Sequence, residues 1–399
     1  MGNNRRSFLK ASGSLGVATI AGCVGGGDDG DTLKIGAPIP LSGPIAIFGQ
    51  ENERGYEFAL EQLDNEILSN EVELIIEDTN AEPSTALERT RKLVQQDEVD
   101  ALVGISDSAA GISVAEYIEE DAQIPHIVSQ VGTVEARENP ENCHSYQFFP
   151  WPSMRQQNLG VIEFIENDLA EAADEDIDTS RIHFVGEDYE GGQSALNIMN
   201  EIFNGEVTGN TMPPQGETDY SSYFPSIENA DADLITGFIP GQAAVRFVNQ
   251  AADYGLTEQK TLCMLGDTHS QIPLSQQGSS ANGCFSSHWY DDTRDNELNN
   301  EFKEWYENNY DLPPNDIAVN GFNQLYSLGR AMEEAGSTDP DDVVGQLEGF
   351  TFGSPMGELT YRDSDHQTEL NFVGFSVEDG QRNTIGNYDS IIGEAYCDV

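Results

Sequence analysis

The stretch Leu33-Lys34-Ile35-Gly36-Ala37-Pro38-Ile39, with the loop Pro40-Leu41-Ser42-Gly43-Pro44-Ile45-Ala46-Ile47-Phe48-Gly49 behind it, sets the pattern for the chain. A short apolar run ends in a Gly/Pro loop. A helix is then expected over 50–68, with Tyr56, Ala59, Leu60, Leu63 and Ile67 at helical spacing. The unit repeats. Val72–Asp78 reads as a strand, and Pro83 suits the first turn of a helix running to about Gln96. Residues 101–105 read as a strand, 109–122 as a helix and 126–129 as a strand. This alternation predicts a parallel sheet with helices on both faces.

The pair of prolines in Phe148-Phe149-Pro150-Trp151-Pro152 interrupts the rhythm and suits a passage between domains. The pattern then resumes: helix 154–170, strand 182–186, helix 191–204, strand 233–238, helix 241–254 and strand 261–265. Helices near 295–309, 316–335 and 340–348 follow, and the tail (359–361 and 370–375) reads as two antiparallel strands. The repeat is therefore one of whole α/β domains.

The N-terminus carries Arg5-Arg6-Ser7-Phe8-Leu9-Lys10, a weakly apolar run to Gly22, and Cys23. Paired arginines before a soft apolar stretch match a twin-arginine export signal over residues 1–22. Ile20-Ala21-Gly22-Cys23 resembles a lipobox, so Cys23 is the expected lipidated N-terminus of the mature chain. Residues 23–31, rich in Gly and Asp, read as a flexible tether. The apolar run is too short to span a bilayer. The expected location is the extracytoplasmic face of the cell membrane, held by the lipid.

The 399 residues include 71 acidic and 18 basic side chains, for a formal charge of −53. Self-repulsion on that scale is relieved by salt, and the composition resembles that of haloarchaeal proteins. The acid is spread along the chain, unlike an acidic tail built for one cationic partner. Nucleic acid is excluded as a partner, since phosphate needs basic patches. Apart from Cys23 the cysteines are Cys143, Cys263, Cys284 and Cys397, which allow two disulfides in three connectivities. Cys263–Cys284 is the favoured pair, on strands expected to be neighbours, and leaves Cys143–Cys397. With no C-x-x-C and six scattered histidines, no metal and no cofactor is expected.

Open parallel sheets bind ligands at the carboxyl ends of their strands, beside helix N-termini. The loops there are 40–49, Gly104–Gly111, Ser129–Thr133, Gly186–Gly191 and Gly266–Thr268. Their joint order, with Leu41-Ser42-Gly43-Pro44, Ile76-Glu77-Asp78-Thr79 before Pro83, Val99–Gly104, Ile124-Pro125, Asp188-Tyr189-Glu190-Gly191 and Asp219-Tyr220, resembles the solute-binding proteins of branched-chain amino acid ABC transporters, with the type I periplasmic-binding fold. The resemblance spans roughly Leu33–Phe375. It implies two Rossmann-like parallel-sheet lobes joined by three crossovers, near 149–152, 288–291 and 353–357. Lobe 1 is then 32–149 plus 290–352, and lobe 2 is 150–289 plus 353–399.

The same resemblance implies the ligand contacts. Ser106 or Ser108, and the stretch Val131-Gly132-Thr133, would hold a carboxylate. Asp267 would pair with an ammonium, and Phe48, Tyr189 and Phe238, with Phe322, would form aromatic walls. A zwitterion needs donors at one end, an acid at the other and apolar walls between. Two departures stand out: Phe148-Phe149 replaces an aromatic–Arg pair, and Asp107 places a carboxylate in the loop meant for an anion. An inward Asp107 would favour a cationic or neutral ligand, and a solvated one would change nothing.

No nucleophile elbow, zinc-protease, phosphate-loop or dinucleotide motif is present. His183 is expected to pack within a strand, and His269 lies near enough in sequence to Asp267 to line the cleft. The expected function is an extracytoplasmic solute-binding lipoprotein of an ABC importer, not an enzyme, with a small amino acid-like ligand and permease subunits as partners. The alternatives are a sensing module for a membrane receptor and a binder of amides or urea.

Overall fold

The computed structural model describes residues 32–43, 45–138, 143–173 and 177–395. The twin-arginine segment, Cys23, the tether and Cys397 lie outside the described residues.

The first sheet comprises β1 (Leu33–Ile39), β2 (Glu66–Ile67), β3 (Asn70–Asp78), β4 (Ala101–Gly104), β5 (His126–Val128) and β6 (Gln147–Phe148), in the order β2-β3-β1-β4-β5-β6. All pairings are parallel except the β2–β3 hairpin. β1 and β4 are buried on both faces, which is why they read as unbroken apolar runs. Helix α1 (Ala46–Gln62) begins and ends earlier than the expected 50–68. Asp64 and Asn65 sit at φ 54° and 60° and turn the chain into β2, where Ile67 is still buried. Helices α2 (Pro83–Gln95), α3 (Ser108–Tyr117) and the short α4 (Val134–Arg137) complete the βα units.

The second sheet has nine strands. Parallel β7 (Arg181–Gly186), β8 (Glu206–Thr211), β9 (Leu234–Phe238), β10 (Thr261–Leu265) and β11 (Phe285–His288) run in the order β8-β7-β9-β10-β11. An antiparallel set of β12 (Thr351–Ser354), β13 (Gly357–Tyr361), β14 (Thr368–Glu378) and β15 (Gln381–Ile391) extends it, with β14 against β11. The tail thus holds four antiparallel strands, not two. Around this sheet lie α5 (Met154–Asn167), α6 (Leu169–Ala172), α7 (Glu190–Ile202), α8 (Phe224–Glu228), α9 (Gly241–Tyr254) and α10 (Gln271–Gln277). Ser153 and Gln156 form a capping box that starts α5 at the end of the proline-rich passage.

From β11 the chain returns to the first sheet through α11 (Glu297–Tyr310), α12 (Asp316–Ala335) and α13 (Pro340–Leu347). α12 packs along α1 and over β4 and β5. The two helices touch backbone to backbone: a Cβ on Gly55 would lie 2.0 Å from the Ala318 carbonyl oxygen, and one on Gly321 2.4 Å from that of Asn52. The N-terminus of α12 is fixed by Asn315, which accepts from the Ala318 amide at 3.0 Å and donates to Glu51 of α1 at 2.9 Å.

The passages between sheets are tied together by a side chain without a sequence signature. Buried Arg137 donates to the carbonyls of Val131 (3.2 Å) and Trp151 (2.7 Å) and to Gln367 Oε1 (3.3 Å), and stacks over Phe149. Phe149 in turn exchanges backbone hydrogen bonds with His366 and Thr368.

Cys263 and Cys284 are free, buried thiols, which corrects the expected pair. β10 and β11 are indeed neighbours, but Cys263 is in register with Phe285, so Cys284 is offset by one residue. Side chains alternate faces along a strand, and the two sulfurs accordingly belong to different hydrophobic clusters on opposite sides of the sheet. Cys143 is disulfide-bonded, to a partner outside the described residues.

Candidate functional site

The expected loops all leave the carboxyl ends of their strands. After β1, Asp78 accepts from the amides of Leu41 (2.9 Å) and Ser42 (3.2 Å) and from the Ser42 hydroxyl (2.6 Å). This holds the turn that presents half-buried Phe48. After β4, Ile105 takes the left-handed conformation (φ 64°) and swings Ser106 inward, where it is 4% exposed. Asn52 donates to Ser106 Oγ at 3.0 Å and to Ser129 Oγ at 2.9 Å, within a buried network that includes Gln130 and Gln324. Ser106 thus accepts from the network and keeps its own hydrogen for another partner.

Ser108 opens α3, half-buried. Asp107 is the N-cap of that helix and accepts from the Ala110 amide at 2.9 Å. Its carboxylate is occupied in capping, so the departure at this position has a structural role. Val131 is core, packed on Gly111, and its carbonyl is held by Arg137. Thr133 is the N-cap residue of α4, and its buried hydroxyl finds no partner among the described residues.

On the second lobe, Tyr189 lies folded over Gly191 in the first turn of α7. Burial, then the nearby carboxylates of Asp267 and Glu187, raise its pKa. Asp267 follows β10 in a 3-10 turn, Gly266–His269, and is half-buried. Burial and the negative charge of Asp316 push its pKa up to about 8, against a hydrogen bond from Gln157 that acts to lower it. Phe238 ends β9 and is 5% exposed in the core. Phe322 is not a cleft wall: it is wholly buried among Phe58, Phe302 and Tyr326. His269 is also interior, 2.9 Å from Gln277 Oε1, and does not line a cleft. His183 packs in β7, 2.9 Å from the Thr211 hydroxyl.

The two lobes face each other across these loops. Burial, followed by the carboxylates of Glu135 and Asp107 on lobe 1, raises the pKa of Glu190 on lobe 2. Asp267, His288 and Asp316 each bring one ligand-type atom within 4.8 Å of the others. Asp316 belongs to the first turn of α12, His288 to the end of β11 and Asp267 to the loop after β10. The residues that sequence reasoning missed are therefore Gln157, His288 and Asp316. None has a motif, since they meet only because α12 returns to lobe 1 and places its N-terminus over the second passage. Two concavities of about 370 Å³ each lie elsewhere, one beside Ile112, Glu116 and His144 and one beside Asp168 and Ile385. Neither borders the loops at the carboxyl ends of the strands.

The sequence profile of the periplasmic binding protein family matches residues 32–382. Leu/Ile/Val-binding protein homolog 6 of Brucella melitensis biotype 1 is 23% identical over 351 residues, covering 85% of this chain and 86% of the relative. The solute-binding protein of an ABC transporter from Rhodopseudomonas palustris BisB5, solved with 3,4-dihydroxy benzoic acid, superposes with a TM-score of 0.79 at 21% identity, over 90% of this chain and 98% of that one. A leucine-binding protein from Thermotoga maritima MSB8 gives 0.75 at 20% identity, over 90% and 99%. No helix among the described residues is long and apolar enough to cross a membrane. With the profile covering both lobes and the passages between them, the chain belongs to the periplasmic binding protein family and is a binding protein.

Proposed function

We propose that the chain is the solute-binding lipoprotein of an ABC importer and takes a small amino acid-like ligand between its lobes. The lobes are 32–149 plus 290–352 and 150–289 plus 353–399. Cys23 carries the lipid after a twin-arginine signal, and the acidic surface suits high salt. Ser106, Ser108 and Thr133 receive the carboxylate, Asp267 receives the amino group, and Phe48 and Tyr189 enclose the side chain. A ligand touching both lobes favours the closed form, which the permease then reads.

The observation that supports this reading is that Asp267 acts on Tyr189 within its own lobe, while the adjacent Glu190 feels Asp107 and Glu135, which flank the hydroxyl-bearing loops of the other. Mass spectrometry of small molecules that copurify with the protein tests it. An amino acid in the extract is the expected result, and a consistently recovered non-amine solute would refute it. A second reading, an aromatic acid such as the one bound by the Rhodopseudomonas neighbour, suits the hydroxyl-lined end but leaves the acidic end unanswered.

A further inference from the structure

Behind Ser106 lies a buried amide network that decides which way its hydroxyl hydrogen points. Asn52 comes from α1, Asn320 and Gln324 from α12, and Ser129 and Gln130 from the loop after β5. All five are buried, as is Ser106. The direction of the network starts at the Asn320 backbone carbonyl, which can only accept. It takes Gln324 Nε2 at 3.1 Å. At the other end of the same amide, the Tyr56 hydroxyl donates to Gln324 Oε1 at 2.9 Å. The Gln324 nitrogen is thereby held toward Ser129 Oγ (3.1 Å) and Asn52 Oδ1 (3.4 Å).

Asn52 inherits that direction. Its amide pairs with the Gln130 amide in a ring of two bonds, Nδ2 to Oε1 at 3.0 Å and Nε2 to Oδ1 at 3.1 Å. Turned over, the ring would set the Asn52 NH2 against the Gln324 NH2 and leave a buried N–H without an acceptor, which is costly. One Asn52 hydrogen therefore belongs to Gln130, and two serines compete for the other. Asn52 Nδ2 stands 2.9 Å from Ser129 Oγ and 3.0 Å from Ser106 Oγ. Ser129 already gives its hydrogen to Gln130 Oε1 at 2.5 Å and receives Gln324 Nε2 and Asn320 Nδ2, the latter at 3.3 Å. Those two donors fill the lone pairs of a hydroxyl, so the remaining Asn52 hydrogen serves Ser106. Ser106 Oγ makes no other hydrogen bond among the described residues. Its own hydrogen leaves the network on the side away from Asn52. The same loop faces the other lobe, since the neighbouring Asp107 acts on Glu190 there.

We propose that Asn52 and Gln324 are positioning residues that lock the Ser106 hydroxyl as a hydrogen-bond donor toward the cleft, so that this end of the site calls for an oxygen acceptor on the ligand. This rests on the reading that Ser106 meets the ligand. Both amides act through Ser106. A free hydroxyl turns to suit either a donor or an acceptor, whereas one held from behind by an N–H keeps its hydrogen forward. A ligand without an acceptor there leaves that hydrogen unmatched. The preference is set inside lobe 1, by the contact of α1 with α12 where Gly55 and Gly321 bring the backbones together.

The direct test needs no ligand and no variant: neutron diffraction from deuterium-exchanged crystals of the protein. Deuterium on the Asn52 amide atom that faces Ser106, with the Ser106 deuterium directed away from Asn52, is the expected result. A Ser106 deuterium directed at Asn52 would overturn the proposal. The second test is calorimetric titration with the common L-amino acids, each beside the amine that lacks its carboxylate (3-methylbutylamine for leucine). At least one amino acid should bind. Asn52→Leu should weaken it about tenfold and Gln324→Met about threefold or more, each leaving the matching amine within about twofold of the parent. In a Ser106→Ala background, Asn52→Leu should have less than about a twofold further effect on the amino acid, because the residue through which it acts is gone. Equal losses for amino acid and amine, or a full Asn52→Leu effect in the Ser106→Ala background, would overturn the positioning role and leave the importer reading standing. Failure of every amino acid to bind would overturn the amino acid reading alone, since the neutron map decides the direction of the hydroxyl by itself.

Discussion

Trp151 and Trp289 meet edge to face with ring centroids 4.9 Å apart, one on each of the first two passages between the lobes. Arg137 holds the Trp151 carbonyl, and Trp289 stacks on His288 at 4.0 Å, so both indoles are tied to groups that border the cleft. Any rotation of one lobe against the other must change this contact. Ligand binding is expected to alter the intrinsic fluorescence, and Trp151→Phe should abolish most of the change. Trp305, the third tryptophan, lies on α11 against Phe58 and Phe302, and Trp305→Phe should leave the response in place. A response that follows Trp305 alone would refute the assignment of the hinge.

The contact of α1 with α12 predicts where the chain tolerates no side chain. Gly55 and Gly321 lie in backbone contact across the two helices. A methyl group at either position would force the helices apart and open the Asn52 and Asn315 hydrogen bonds with them. Gly55→Ala and Gly321→Ala are each expected to cost about 3 kcal/mol or more, read as a lower denaturation midpoint with an unchanged slope. Gly345, whose added Cβ would meet nothing within 4 Å, provides the control, and Gly345→Ala should be neutral or slightly stabilising.

Strands β1, β4, β7, β9 and β10 were legible because they are buried along nearly their whole length, and helices α9 and α12 match their expected spans because their apolar spacing is regular. β8 was missed because Glu206-Val207-Thr208-Gly209-Asn210-Thr211 is a half-exposed edge with one strongly apolar residue. Asp267 was legible through loop order. Asp316 and His288 were not, because one begins a helix where an acid is ordinary and the other ends a strand where a packed histidine is ordinary. Their meaning arises from tertiary placement. Asp107 shows the converse: the sequence left open whether it points inward or into solvent, and the structure gives its carboxylate to local helix capping.

The free cysteines give a chemical count. Cys263 and Cys284 are wholly buried, and burial pushes the Cys284 thiol up to about 12, so neither presents a thiolate near neutral pH. Alkylation of the folded protein without reductant should leave both unmodified, and alkylation after unfolding should label both. Peptide mapping that finds Cys263 linked to Cys284 would contradict the opposite-face placement.

The cleft acids predict a proton exchange with a definite sign. Asp267 has a folded pKa of about 8, well above the ordinary carboxyl value of about 3.9. The groups facing it are Asp316 from α12, His288 from β11 and Tyr189 from the loop before α7, with Arg382 of β15 acting on Asp316. Between those two pKa values the folded protein holds more protons than the unfolded chain. This group's contribution to stability is therefore full below about pH 4 and is lost as pH rises toward 8. An ammonium ligand needs the ionised carboxylate, so binding expels the proton. Affinity for an amine ligand should rise with pH up to about 8 and then level off. Titrations at pH 7 in buffers of different ionisation enthalpy should show proton release, and Asp267→Asn should remove that release. Proton uptake, or release that survives Asp267→Asn, would place the exchanged proton on another group.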